Sequence, residues 1–128
     1  MQTKLYLEAH PDETTVLREL LEKDELKAKA IMDAAKEGDK VAEHCVDIAA
    51  EALGVCCVNI CRLVDPELIV FAGGLALAGD YLLNKIIAQF NKYHWTIQEP
   101  TCRLVISESG EKTGMIGAAA VARMNYFK

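Results

Sequence analysis

The 128-residue sequence has few aromatic residues, few prolines and no excess of positive charge. Phe, Trp and Tyr make up only 6% of the chain, which is typical of a helix-rich domain packed with Ala, Leu, Val and Ile. The formal net charge is −5, and Lys and Arg are scattered among the acids. A nucleic-acid partner is therefore not expected, because a phosphate backbone is bound by clustered cations. At this length we predict a single domain over residues 1–128.

Long hydrophobic runs and paired cysteine motifs are also missing. The most apolar stretch, residues 55–78, is interrupted by one arginine, two acids and a proline, so we do not expect it to cross a bilayer. Residues 1–10 have no long apolar core, and we expect no secretory signal. The five cysteines match no disulfide or zinc spacing, which favours reduced thiols and a cytoplasmic protein.

The cysteines are expected to be buried small hydrophobic residues. Cys57 and Cys61 share one face of a predicted helix, but Cys45 and Cys56 would lie roughly 16 Å apart at the helical rise, too far to bind one ion. The three histidines are isolated in the sequence, and no catalytic set containing Ser, Cys or His follows from the spacing. We therefore predict no catalytic residue and no metal ligand.

The first third of the chain is charged and predicted to be helical, with residues 1–33 forming an extension. Asp12 is expected to cap a helix over residues 13–23. A second helix is expected over residues 25–36, ending at Gly38.

A long helix is predicted from its N-cap, Asp39, to about Leu63. Its second half, residues 53–60, carries only Asn59 as a polar side chain, so we expect it to be buried on all sides in the domain or against a partner. Gly54 costs about 1 kcal/mol relative to Ala in a helix, which predicts a close approach by another backbone. The dry face of the first half comprises Val41, Cys45, Ile48, Ala49 and Ala52.

Two short strands and two more helices follow in the prediction. Residues 68–72, LIVFA, form an unbroken apolar run typical of a buried strand, and Arg103–Ile106 is predicted as a second strand. An amphipathic helix is expected over residues 81–91, and a small-residue helix suited to close packing over residues 114–124. The order strand, helix, strand, helix indicates an α/β fold with helices over a sheet.

The paired glycines Gly73 and Gly74, between a strand and a helix, form the first candidate site. Glycine permits a positive φ and leaves room for a base or ribose, with helical N–H groups near phosphate oxygens. A simple strand-to-helix connection explains the pair equally well, since neither a Rossmann nor a Walker pattern follows. Residues 107–117, SESGEKTGMIG, form either a second ligand-bordering loop, with Thr113 as N-cap or contact, or a surface loop before a packed helix.

Four segments of the chain form one ordered pattern: residues 34–39 (AAKEGD), 53–74, 78–83 (AGDYLL) and 113–122. Together they resemble the C-terminal part of ROK-family sugar kinases. This family includes bacterial glucokinases and fructokinases and an animal N-acetylmannosamine kinase domain. The resemblance covers residues 34–123, about two thirds of the chain. It implies a helix-rich C-terminal lobe with a short sheet, of the actin-like, ribonuclease-H-like ATPase fold.

The resemblance also implies a nucleotide site. Ala72, Gly73 and Gly74 match the glycine triplet that lies beside the nucleotide in the family, with Ala72 in place of the commoner glycine. Gly114 and Gly117 match the glycines of the last family segment, in the same lobe. The implied ligand is ATP, with Mg²⁺ expected only in a complete enzyme.

Several parts of a complete kinase are missing from the sequence. The family's Asp-Gly-Gly-Thr phosphate motif, its Asn-Asp pair with the general base, and its zinc motif have no counterpart. We therefore predict a partial sugar kinase that contributes the ATP-binding lobe and is inactive alone, since sugar binding needs the missing lobe. The alternative is a non-enzymatic scaffold or regulatory module. Self-association or a partner chain is expected in either case.

Overall fold

The computed structural model describes residues 2–94 and 101–126. Within these residues the chain forms six α-helices, two β-strands and two short 3-10 helices. The α-helices are α1 (Gln2–Ala9), α2 (Leu17–Glu22), α3 (Ala28–Lys36), α4 (Lys40–Val64), α5 (Gly79–Tyr93) and α6 (Thr113–Tyr126). The strands are β1 (Leu68–Phe71) and β2 (Arg103–Ile106), and the 3-10 helices are Gly73–Ala78 and Gly110–Lys112.

The N-terminal helices are shorter than the sequence pattern indicates. The helix predicted over residues 13–23 begins only at Leu17, so the prediction of Asp12 as its cap is wrong. The start of α2 is instead held by Asp39, whose carboxylate accepts hydrogen bonds from the Thr15 hydroxyl at 2.7 Å and from the backbone N–H of Val16 at 3.0 Å. A contact between residues more than twenty positions apart in the sequence thus replaces a local cap.

Asp39 is also the N-cap of α4, as predicted. Its other carboxylate oxygen accepts from the backbone N–H groups of Val41 and Ala42, both at 3.0 Å. Partial burial opposes ionisation, but the hydrogen bonds from Ala42, Thr15, Val16 and Val41 outweigh it, and the pKa of Asp39 is lowered. One carboxylate therefore joins the starts of two helices.

The close approach predicted at Gly54 is confirmed. Gly54 is buried where α4 crosses α5, and a Cβ at this position would lie 2.7 Å from the Cβ of Gln89 and 3.0 Å from the backbone nitrogen of Phe90. Phe90 and Ile86 of α5 are almost completely buried beside it. The packing of α4 on α3 and α5 forms the core of the domain.

Within the described chain the second half of α4 is not buried on all sides, so the prediction that the domain buries it is wrong, and burial against a partner stays a prediction. Cys57 and Val58 are buried, whereas Cys56 and Asn59 on the opposite side are exposed. Among the described elements, α4 as a whole packs extensively only on α3 and α5. The core side is also rotated from the predicted dry face: Ala49 and Ala52 are exposed, and the buried residues are Val41, Ala42, Val46, Ala50, Gly54, Cys57 and Val58.

Among the described helices, only α4 is long and apolar enough to cross a membrane by length and composition alone. The same helix supplies a large share of the domain's buried core. Its apolar character therefore has an explanation within the fold, because the core helix of a globular domain is also long and apolar.

The two strands pair in parallel, with Leu68 opposite Arg103 and Phe71 opposite Ile106. The bounds of β2 are as predicted, but the prediction that β1 is buried is wrong, since Leu68 is 42% and Val70 50% exposed. Alternate residues of β1 are half-buried, so one side of the strand is open to water. The described sheet has only two strands, too few to enclose β1.

The final helix, α6, has no buried residue, so the expected close packing is wrong for the described part of the chain. It contacts the 3-10 helix Gly110–Lys112 that precedes it and has no other extensive contact among the described elements. Its large apolar side chains are all more than half exposed: Met115, Ile116, Val121, Met124 and Tyr126.

Replacing Asp39 tests the two-helix cap. We expect Asp39→Ala to lower the free energy of unfolding by about 1–2 kcal/mol at pH 7, because two helix starts lose their acceptor. Since the folded-state pKa is below the unfolded value of about 3.9, this contribution is present above that pH and is lost on acidification through the folded pKa. Urea unfolding at pH 7 and at a series of lower pH values measures both effects. Asp33→Ala, at an exposed position of α3, is the control and should cost little.

Replacing Gly54 tests the helix crossing. Gly54→Ala should destabilise the protein by about 1–3 kcal/mol, because the added methyl overlaps Gln89 and the Phe90 backbone and this outweighs the better helix propensity of Ala. Gly117→Ala makes the same change in α6, where a Cβ meets nothing within 4 Å, and should be neutral or stabilising by up to about 1 kcal/mol. Equal effects of the two substitutions on urea unfolding would contradict the close approach.

Candidate nucleotide site

The two segments singled out in the sequence meet at one edge of the sheet. Because β1 and β2 are parallel, their carboxyl ends lie at the same edge, and the N–H of Ser107 donates to the carbonyl of Phe71 at 2.8 Å just beyond the strands. The two 3-10 helices that follow the strands pack against each other. The turn at residues 72–74 and the loop at residues 107–113 therefore border one surface.

The glycine turn has the backbone geometry that glycine favours. Ala72 is extended, with φ −134° and ψ 176°, and Gly73 has φ +68°, in the left-handed region. A Cβ on Gly74 would meet nothing within 4 Å, so this position is open to a neighbouring molecule. The glycine pair begins the 3-10 helix Gly73–Ala78, and the α-helix α5 begins only at Gly79.

The loop after β2 is held by its own hydroxyl groups. Thr113 Oγ1 donates to the carbonyl of Gly110 at 2.7 Å and lies 2.9 Å from Ser107 Oγ, to which the N–H of Ser109 donates at 3.3 Å. Thr113 is the first residue of α6, so these bonds fix where that helix leaves the sheet edge. Gly114 and Gly117 lie in its first half, where an added Cβ at either would meet nothing within 4 Å.

A mainly apolar cavity of about 490 Å³ lies next to the glycine turn. It is bounded by α1, α3, α4, the 3-10 helix Gly73–Ala78 and α5, with Tyr6, Met32, Leu53, Leu75 and Leu82 in its lining. Leu75 directly follows Gly74 and connects the turn to the cavity. Sequence reasoning missed this cavity because its lining residues look like ordinary core positions of separate helices; only the hydrophobic faces of α3 and α4 could have indicated it.

The cysteines are less uniformly buried than expected. Cys57 and Cys102 are buried and Cys45 and Cys61 half-buried, but Cys56 is exposed on α4. No group of three or more His, Cys, Asp or Glu side chains within residues 2–94 and 101–126 has an arrangement that could hold a metal ion.

Comparison with known structures defines the class of protein. The chain superposes on a ROK-family glucokinase from Streptomyces griseus, solved in complex with glucose and AMPPNP, with a TM-score of 0.82 and 26% identity. The match covers 96% of this chain and 40% of that chain. The predicted fold class is thereby confirmed: the chain has the helix-rich α/β fold of an actin-like ATPase lobe.

The chain belongs to the ROK family, whose family model matches residues 7–125. It is 35% identical over 92 residues to a glucokinase of Halalkalibacterium halodurans, covering 72% of this chain and 28% of the relative. It is 24% identical over 98 residues to a xylose repressor of Caldicellulosiruptor bescii, covering 77% of this chain and 25% of the relative. The chain thus spans less than a third of the length of these curated relatives.

Proposed function

We propose that this chain binds ATP and serves as the ATP-binding lobe of a ROK-type sugar kinase, which transfers a phosphoryl group to a sugar hydroxyl. The observation that carries the proposal is the convergence of the glycine turn and the 107–113 loop at the carboxyl edge of a parallel sheet. In α/β folds ligands bind outside this edge, where loops rather than side chains of the sheet surround them.

The phosphates and ribose are assigned to the surface around Ala72, Gly73 and Gly74. The open space at Gly74 lets a ligand approach the backbone, and the left-handed Gly73 fixes the direction in which the chain leaves the strand. Gly114 and Gly117 offer similar open backbone at the start of α6. Mg²⁺ belongs to the complete enzyme, in which it neutralises the charge of the phosphates.

The base is assigned to the apolar cavity beside the turn. A purine is planar and largely apolar on its faces, and the cavity is lined mainly by apolar side chains with Tyr6 among them. Leu75, which follows the glycine pair and lines the cavity, places the two parts of the site next to each other.

Sugar phosphorylation requires a part of the kinase that this chain does not include. The sequence lacks the general base and the second phosphate motif, and the chain corresponds to 40% of the complete glucokinase structure. The exposed apolar residues of β1 and α6 favour covering by a partner chain or a second copy. We assign this assembly to the cytoplasm, where five free thiols stay reduced.

A non-enzymatic role is the second candidate, and one observation favours it. The chain is similar over 98 residues to a xylose repressor, a protein named for regulation, and this similarity supports the second role. A scaffold or regulatory module would keep the fold and the exposed apolar surface without phosphoryl transfer. ATP binding by the isolated chain separates the two roles.

Nucleotide binding is tested by thermal unfolding. With a Kd of about 1 mM, 10 mM Mg-ATP should stabilise the chain by about 1.4 kcal/mol, a rise in Tm of roughly 3–6 °C. Gly74→Val should abolish the rise, because its side chain occupies the open space, where an added Cβ meets no atom of the fold within 4 Å. Ala52→Val, at an exposed position of α4, is the matched control and should keep it.

The same assay tests whether the adenine base of ATP binds in the apolar cavity. Inorganic triphosphate should give a smaller rise than ATP if the cavity contributes to binding. No rise with ATP at 10 mM would overturn the proposed nucleotide site and favour the non-enzymatic role, and an unchanged rise in Gly74→Val would move the site away from the turn.

Sugar kinase activity is expected to be absent from the isolated chain. A coupled assay of ADP release with glucose or N-acetylmannosamine should show no sugar-dependent rate, because the chain has no counterpart of the family's general base. The Streptomyces griseus glucokinase serves as the positive control. A sugar-dependent rate that disappears in Gly74→Val would show that the lobe is catalytically complete and contradict the proposal.

A further inference from the structure

One side of α4 is mainly apolar and is not covered by the described part of the chain. Five residues on this side are exposed: Ala49, Ala52, Cys56, Asn59 and Leu63. Their spacing alternates between three and four residues, so they form one line along the helix, about 21 Å long at the helical rise. Half-buried apolar residues flank this line at positions 48, 53, 55 and 60. These nine residues are called the α4 stripe.

We propose that the α4 stripe is the contact surface between two copies of this chain, whose α4 helices pack antiparallel about a two-fold axis at Cys56. Alternating spacings of three and four apolar residues are the pattern by which two helices pack side by side. A two-fold axis uses the same surface on both copies. It also brings together positions that are equally far from residue 56, so Ala49 lies opposite the partner's Leu63.

The sizes of the side chains along the stripe favour the antiparallel direction. The first half of the stripe carries the small residues Ala49 and Ala52, and the second half carries the large residues Ile60 and Leu63. Antiparallel packing places each large side chain against a small one, whereas parallel packing would place Leu63 against Leu63 and leave a gap between the alanines.

The charges of α4 favour the same direction. Residues 43–51 carry three acids, Glu43, Asp47 and Glu51, and no lysine or arginine, whereas the only charged residue of 53–64 is Arg62. In the antiparallel pair Arg62 comes to the level of position 50 of the partner, next to its Glu51. Parallel packing would instead align the acids of one copy with those of the other, which is unfavourable.

The area of the stripe predicts a reversible dimer. Nine residues on each side are fewer than the 20–30 of a standard stable interface. Asn59 is the one strongly polar residue of the stripe, and a polar residue in such a seam lowers stability. We therefore expect a Kd of roughly 10–100 µM. The inference does not depend on nucleotide binding, and it is tested without ATP.

Sedimentation of the full chain at about 5 µM and about 300 µM measures the association. Wild type should be monomeric at the lower concentration and mainly dimeric at the higher one. Ala52→Glu places a carboxylate against the partner's Ile60 and should raise the Kd at least about tenfold. Ala88→Glu, at an exposed position of α5, is the matched control and should leave the Kd unchanged. Asn59→Leu should lower it about tenfold.

A wild-type chain that stays monomeric at the higher concentration would overturn the proposal. A dimer that persists unchanged in Ala52→Glu would also overturn it, because the contact would then lie on another surface, such as α6.

Cross-linking tests the direction of the pair. At the higher concentration a short bismaleimide should link Cys56 to the partner's Cys56, and Cys56→Ser should lose this link. In the Cys56→Ser background, mixed Ala49→Cys and Leu63→Cys chains should be linked between positions 49 and 63, whereas Ala49→Cys alone should give no link between two positions 49. Such a link would show parallel packing and contradict the proposal. Absence of the link at position 56 in wild type would overturn it even if a variant failed to fold.

Discussion

The crossing of α4 and α5 at Gly54 is the contact on which the rest of the structure depends. Because Gly54 has no side chain, the backbone of α5 can approach to a distance at which a methyl group would overlap Gln89 and Phe90. Polar contacts at the rim support the crossing: Lys85 bonds Asp47 at 2.6 Å, and the Tyr93 hydroxyl donates to Glu51. Tight backbone packing of this kind allows little change in side-chain volume.

The position of the candidate site depends on this crossing, because α5 connects the crossing to the sheet. The helix packs on α4 with one side and contacts β2, so its position sets where the two parallel strands lie relative to the helical layer. The glycine turn connects β1 to α5, and the 107–113 loop begins where β2 ends. The convergence of the two loops is thus a consequence of the parallel pairing together with the placement of α5, and no local sequence signal specifies it.

The sequence predicted the features that local physical chemistry determines. The Asp39 cap, the close approach at Gly54 and the bounds of β2 each depend on one residue or a short pattern. Burial was predicted less well, because it depends on which elements surround a segment. The open side of β1, the exposed Cys56 and the largely exposed α6 are apolar in sequence but lack a covering layer in the described chain. The cavity could not be predicted because it is formed by five elements, several of them far apart in the sequence.

The incorrect predictions of burial share one feature: each overestimates the burial of an apolar segment. Each segment wrongly predicted as buried is apolar, and such surface costs free energy in water unless something covers it. Single exposed apolar residues are ordinary, but α6 presents five large ones on a helix with almost no charge. The chain matches 96% of its own length to 40% of a complete glucokinase. The uncovered apolar residues therefore lie outside the helical layer that forms the core, in a chain that matches only part of the family fold.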